Sequence, residues 1–241
     1  MLSTLYSAAG GLNAAAKSQE VFARNIANAQ HHGYKRASLR FADELQEASG
    51  EPGSSSPALS AVEGIGFEQG ELLRTDSPCD LALEGDGFFT LEKPGGGFLY
   101  TRKGSFTLGA DGRIVTTSGF TLLGTSGPIL LPPGSKVTVQ KDGTVLGDDQ
   151  AAVGKLRIAA FPDKSGLSRA GTTLFQEAGD VSKAMPAVDC SVRQGYLENS
   201  NVNLLTEMIR MIENARAFEA SQRTVSAVSA AMTELTQSAE A

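Results

Sequence analysis

The sequence predicts an α+β chain, in which N- and C-terminal helices form a coiled-coil-like layer and a central all-β module is inserted between them. Three observations carry this. Near the start, apolar or small residues recur in alternating three- and four-residue steps: Leu2, Leu5, Ala9, Leu12, Ala16, then Gln19, Ala23 and Ile26. The same stepping returns near the end, at Leu204, Met208, Met211, Ala215, Phe218, then Gln222, Val225, Ser229 and Met232. A mean step of about 3.5 residues is the coiled-coil period. Between these ends, from Gly64 to about Ala187, the period falls to two and turn signals punctuate it.

The first helix is expected over about Ser3 to Ala29, with Ser3 or Thr4 as its cap. Gly10-Gly11 weakens it by roughly 1 kcal/mol per glycine relative to alanine. Beside Ala8, Ala9 and Ala14 to Ala16, those glycines suit a surface for close helix approach. His31-His32-Gly33 ends the helix, with Gly33 in the left-handed region. Tyr34 to Gln46 reads as extended and then helical, carrying Leu39, Phe41 and Leu45. Residues 1–46 thus form an N-terminal helical assembly segment, and 47–63, rich in Ser, Gly and Pro, form a loop.

Residues 64–193 form the central β domain. Its expected strands include Leu81 to Leu83, Phe88 to Leu91, Phe98 to Thr101, Ser105 to Leu108, Arg113 to Thr116 and Phe120 to Leu123. Val137 to Val139, Thr144 to Leu146 and Lys155 to Phe161 continue the series. Gly85-Asp86-Gly87, Gly95-Gly96-Gly97, Asp111-Gly112 and Asp142-Gly143 supply the turns. From Gln194 the helical pattern resumes, so 194–241 form a C-terminal helical assembly segment. Asn201 or Asn203 caps it, and Glu207 falls where negative charge suits the helix dipole.

Composition excludes several functions. A net charge of −6 offers no basic field for nucleic acid or an anionic membrane. No stretch approaches the roughly 20 apolar residues of a membrane span. Met1 to Asn13 carry no cationic segment of the kind that opens a cleaved secretory signal. With only His31 and His32, neither a histidine metal pair at helical spacing nor a dispersed His/Ser/Asp set can be assembled. The glycine clusters lack the context of a phosphate-binding loop. Catalysis, cofactor, metal and small-molecule substrate are therefore not expected. Cys79 and Cys190 flank the β-rich middle; they are either two separate small buried residues or a bridge closing its neck.

Four motifs, in order, resemble the bacterial flagellar rod and hook family. Ala23-Arg24-Asn25-Ile26-Ala27-Asn28-Ala29 followed by Gly33-Tyr34-Lys35-Arg36 is similar to its N-terminal signature. Asp80 to Phe89, Tyr100 to Phe106, and then Gln194-Gly195-Tyr196 through Asn199-Ser200-Asn201-Val202-Asn203 continue the match, which ends in Arg216-Ala217-Phe218-Glu219. Arg24 stands where the family usually has Asn, and His31-His32 replace small polar residues. With one β module and no large second insertion, the chain resembles the proximal or distal rod proteins more than the hook.

The resemblance implies a structural subunit of the flagellar basal-body rod, polymerising through its terminal helices into a hollow helical shaft that transmits motor torque. Its implied partners are further copies of itself, other rod and hook proteins and the flagellar export apparatus. The implied location is a rod spanning the periplasm, reached without a cleaved signal peptide. Leu2, Leu5, Ala9, Leu12, Ala16, Ala23, Ile26, Leu204, Met208, Met211, Ala215, Phe218, Val225 and Met232 are the expected assembly residues. Asn25, Asn28, Gly33, Tyr34, Lys35, Gly195, Tyr196, Asn201 and Asn203 carry the family motif. The asparagine side chains suit bonds to backbone at helix ends, and Arg24, Lys35 and Arg36 are candidates for ion pairs with a neighbouring subunit. The termini are expected to be disordered alone and helical once assembled. The alternative is a hook-family or non-flagellar β-domain binding module on a helical oligomerisation stalk.

Overall fold

The three-and-four stepping at both ends is realised as two long helices, α1 at Leu2–Ala27 and α2 at Leu204–Ala239. The computed structural model describes residues 2–44, 58–132, 135–177, 184–187 and 189–239, and only the backbone of 2–9, 40–44, 58–62, 232–236, 238 and 239. Two compact units emerge. The first combines α1, the strands β1 (Ala37–Glu44) and β2 (Ala58–Ile65), and α2. The second takes residues 28–36 and 67–202.

In the first unit β1 and β2 pair antiparallel along their whole length, from Ala37 opposite Ile65 to Glu44 opposite Ala58. This corrects two expectations. The segment after Tyr34 is strand up to Glu44 and not helical, because a complete cross-strand partner satisfies every second backbone group there. The loop expected over 47–63 gives way to β2 from Ala58 onward; residues 45–57, with Leu45 and Gln46, lie outside the described residues.

Apart from one 3-10 turn at Lys164–Gly166, the regular structure described in the second unit is β. Its strands are β3 (Leu72–Arg74), β4 (Leu81–Gly85), β5 (Phe88–Glu92), β6 (Phe98–Thr101), β7 (Phe106–Leu108), β8 (Ile114–Thr116) and β9 (Thr121–Gly124). They continue as β10 (Gly127–Pro128), β11 (Thr138–Val139), β12 (Thr144–Leu146), β13 (Ala152–Lys155), β14 (Ile158–Ala160), β15 (Leu167–Arg169) and β16 (Leu174–Glu177). The last are β17 (Met185–Pro186), β18 (Cys190–Gln194) and β19 (Tyr196–Glu198). The main sheet runs β15-β16-β6-β5-β9-β8-β7, with β10 on β9, β14 on β5 and β17 on β14. Smaller antiparallel groups pair β18 with β4, β19 with β3, and β11 to β13 in order.

The strands expected from period-two patterning are present except that Lys155 to Phe161 is broken, Lys155 ending β13 and only Ile158–Ala160 forming β14; the inward residues of the β unit form the core, Leu81, Leu83, Phe89, Leu91, Phe106, Leu122, Val145 and Val192 among them. A second cluster of edge-to-face rings joins Phe67, Phe88, Phe161, Phe175 and Tyr100. The helical pattern expected from Gln194 begins ten residues later. Gln194 closes β18, Gly195 turns the chain at φ +77°, and β19 returns against β3, so pairing claims these residues before the helix can.

Cys79 and Cys190 are free thiols, and burial pushes both pKa values up. No helix among the described residues is long and apolar enough to cross a membrane.

Candidate assembly interface

Within the first unit α1 and α2 lie against each other in antiparallel sense: Asn25 bonds Glu207, and one heptad further along α2 the Asn214 side chain donates to the Ala15 carbonyl at 2.9 Å and to Gln19 Oε1 at 3.0 Å. The inward positions of α1 are Ala14, Ser18, Val21 and Asn25; those of α2 are Glu207, Met211, Asn214, Phe218, Val225 and Val228. Both sets obey the three-and-four stepping, which places them on one stripe of each helix. They differ in phase from the stripes marked in the sequence. Of those, Met211, Phe218 and Val225 coincide with the inner seam of α2, and Ala215 is half-buried beside it. Leu12 and Ile26 are half-buried on α1, whereas Ala16 and Ala23 are exposed. The side chains of Leu2, Leu5, Ala9 and Met232 lie outside the described residues.

The phase difference has a consequence for surface chemistry. Leu204, Leu205, Met208, Ile209 and Ile212 are between 42% and 68% exposed, and they line up at helical spacing over the first turns of α2. Five large apolar side chains on one short stretch are a contiguous patch rather than scattered exposure. A Cβ added to Gly10 or Gly11 would meet nothing within 4 Å, so no close helix approach uses them among the described residues. Leu204 and Met208 thus face solvent in the single chain, and a glycine pair suited to close packing stands open.

At the top of the helix pair sits a polar knot. The Asn25 side chain, fully buried, accepts from the Ala37 amide at 2.9 Å and donates to the Ala37 carbonyl at 2.9 Å, and also donates to Glu207 Oε2 at 2.9 Å. It occupies the place a neighbouring strand would take beside the first residue of β1. Asn203 caps α2 by accepting from the Thr206 amide at 3.0 Å. Asn201, the other expected cap, instead accepts from the Arg36 amide at 2.7 Å and donates to the Glu68 carbonyl at 3.0 Å. Asn28 accepts from the His31 amide through its backbone carbonyl. Arg24 pairs within the chain with Glu20, one helical turn back, and with Glu63; the spacing to Glu20 is legible in the sequence, the pairing with Glu63 is not.

The remaining motif residues build a buried ionic cluster in the second unit. Lys35, fully buried, donates through Nζ to Glu198 Oε1 and to the Glu68 carbonyl, both at 2.7 Å. Arg102 reaches Glu198 Oε2 at 3.2 Å and the Gly85 carbonyl at 2.7 Å, and Gly70 donates its amide to Glu198 at 3.0 Å. Burial holds the Lys35 amine below the ordinary lysine range, against the opposing pull of Glu198. Lys35 is therefore satisfied inside its own unit. Tyr34 is buried, with the Arg169 guanidinium 4.9 Å from its ring centre. Tyr196 pairs with Arg74 in the β19–β3 ladder, and the Gly195 carbonyl accepts from the amides of Thr75 and Asp76.

Gly33 donates its amide to the Glu198 carbonyl at 2.7 Å, with φ +73°, and a Cβ there would fall 2.3 Å from the Lys103 nitrogen. Gly33→Ala is expected to destabilise the second unit by at least about 1–2 kcal/mol from left-handed backbone alone, read as an earlier urea midpoint. An unchanged midpoint would contradict this geometry.

Ser18, Glu207 and Asn214 in the first unit, and Glu198 and Arg102 in the second, take part without having been expected to. A signal for them is present in the sequence: Ser18 and Asn25, like Glu207 and Asn214, stand seven apart, and Glu198 and Arg102 lie inside the motif blocks.

Residues 5–35 match the family described as flagella basal body rod protein, residues 82–147 the flagellar hook protein FlgE/F/G D1 domain, and residues 193–238 the flagellar basal body rod FlgEFG protein C-terminal region. The chain is 34% identical to the flagellar basal-body rod protein FlgG of Buchnera aphidicola subsp. Baizongia pistaciae, over 93% of this chain and 95% of that one. It is 33% identical to FlgG of Agrobacterium fabrum, over 90% and 92% respectively. Identity to the flagellar basal-body rod protein FlgF of Salmonella typhimurium is 32%, over 93% of each.

Proposed function

This chain belongs to the flagellar basal-body rod protein family and is a structural subunit of that rod, not an enzyme; from that premise we propose that α1 and α2 form a coiled-coil-like layer through which it polymerises into a hollow helical shaft that carries motor torque. Membership in the family also makes other flagellar rod and hook proteins its assembly partners.

The observation that supports the polymerising role best is the exposed apolar run Leu204, Leu205, Met208, Ile209 and Ile212. Covering one such side chain contributes about 1.5–3 kcal/mol, and within one chain nothing does so fully. The exposed Ala16 and Ala23 and the open Gly10-Gly11 pair give α1 a small-residue surface against which a neighbouring helix can close. Leu2, Leu5, Ala9, Leu12, Ile26, Met211, Ala215, Phe218, Val225 and Met232 complete the proposed contact set. The further elements of the proposal, a rod that crosses the periplasm and delivery by the flagellar export apparatus without a cleaved signal peptide, rest on the resemblance alone. So does the order gained by the terminal helices on assembly.

Sedimentation of the full-length chain at rising concentration tests this. Open-ended growth in mass is expected. A fixed small oligomer would favour a β-domain binding module on a helical stalk, and a monomer at all concentrations would contradict polymerisation.

A further inference from the structure

We propose that the buried hydrogen bond between Asn25 and Glu207 sets the register in which α1 pairs with α2. This concerns the helix pair of a single chain and holds whether or not chains polymerise.

The seam between the two helices is poor in features that would fix their alignment. Its inward residues on α1 are Ala14, Ser18, Val21 and Asn25, two of them small and one aliphatic. A stripe spaced by heptads can be slid by seven residues and meet its partner again, because the same stepping recurs. Small side chains offer few knobs to resist the slide. The packing of the seam alone does little to distinguish one alignment from the next.

Asn25 and Glu207 do so. Both are buried, at 0% and 1% exposure. The Asn25 amide group spends one N–H and its oxygen on the backbone of Ala37, which fixes its orientation, and aims its second N–H at Glu207 Oε2. The other carboxylate oxygen accepts from Arg210 at 3.1 Å, one turn along α2. A slide of one heptad in either direction carries Glu207 about 10 Å from Asn25. The carboxylate then loses its amide donor; in one direction Asn214, seven residues along α2, brings Asn25 a neutral acceptor, and in the other Asn25 meets none from the α2 stripe. A buried carboxylate that keeps its Arg210 bond but loses its amide donor penalises the wrong alignment more than the bond stabilises the right one. The contact of Asn214 with Ala15 and Gln19 cannot substitute, since Asn214 can bond any carbonyl and carries no charge. A single polar pair in a coiled-coil seam is an established way to specify alignment at some cost in stability.

The test measures the distance between spin labels on α1 and α2 in the full-length chain, attached at A23C and A220C in a C79S/C190S background. Ala23 and Ala220 are both exposed. Labelled chains are diluted in unlabelled ones so that only intrachain distances contribute, under conditions in which circular dichroism shows the helices formed. Glu207→Gln retains an acceptor for Asn25 and is expected to keep the single distance of the unmodified chain. Glu207→Leu fills the same space without an acceptor and is expected to show a second population, offset by about 10 Å along the helix axis. If E207L loses its helical signal, E207M carries the same comparison. A single unchanged distance in the apolar variant, or two populations in E207Q, would overturn the proposal, since a space-filling role makes the two variants alike.

Discussion

Replacing Leu205, Ile209 and Ile212 together with glutamate is expected to abolish polymerisation while leaving both units folded. These side chains are 68%, 49% and 53% exposed in the single chain, so their loss removes little that the chain itself uses. In a neighbour's contact the same three would each contribute about 1.5–3 kcal/mol when fully covered. Since they are already partly covered, a combined loss of about 3 kcal/mol is a conservative figure, equivalent to more than a hundredfold in each subunit's association constant. Burying three unpaired carboxylates adds a penalty in the same direction. Glutamate is a good helix former, and negative charge in the first turns of α2 suits its dipole, so the helix itself is expected to survive. Sedimentation reads the assembly and circular dichroism the helix. Growth at the concentrations where the unmodified chain assembles would show that the polymer contact lies elsewhere.

The largest effect on stability is expected from Glu198→Ala. Glu198 accepts from Lys35, Arg102 and the Gly70 amide, and its carboxylate is wholly buried. Truncation strands two buried cations with no carboxylate between them. Breaking a buried ion pair from one side costs about 3–5 kcal/mol, a large part of the stability of an ordinary domain. Lys35, whose amine burial already holds below its ordinary range, would then lose the carboxylate that opposes that shift most strongly. Glu198→Gln keeps an acceptor of the same shape and is expected to fall between the unmodified chain and the alanine variant. Urea unfolding followed through the tyrosines of the second unit gives the comparison. A midpoint change worth less than about 1 kcal/mol in E198A would mean the cluster is better hydrated than its burial indicates.

Much of this architecture is legible in the sequence because it rests on local periodicity. The strands from Leu81 to Leu123 and the two long helices follow from side-chain spacing alone, and Gly33 from the rule that only glycine sits easily at positive φ. The failures share a cause. Ala37–Glu44 and Ala58–Ile65 are strands because each supplies the other's partner, and Tyr196–Glu198 because β3 supplies one. No window of sequence contains both halves of such a pair. The phase of the helix seam escapes a sequence reading for a related reason: polar Asn25, Glu207 and Asn214 read as outward, although hydrogen bonds to groups distant in sequence turn them inward, while inward Ser18 satisfies its hydroxyl on the Ala14 carbonyl of its own helix. The motif asparagines stand out in the sequence, but only the three-dimensional arrangement assigns Asn203 to a cap, Asn201 to the Arg36 amide and Asn25 to a strand edge.

The bonds that tie Asn25 to Glu207 and Lys35 to Glu198 join residues 182 and 163 positions apart. Contact order this high makes ring closure slow and late. During synthesis the leading residues emerge long before the carboxylates that will receive them, so neither buried cluster can form until nearly the whole polypeptide has left the ribosome. The chain is thereby kept without either buried cluster for most of its translation.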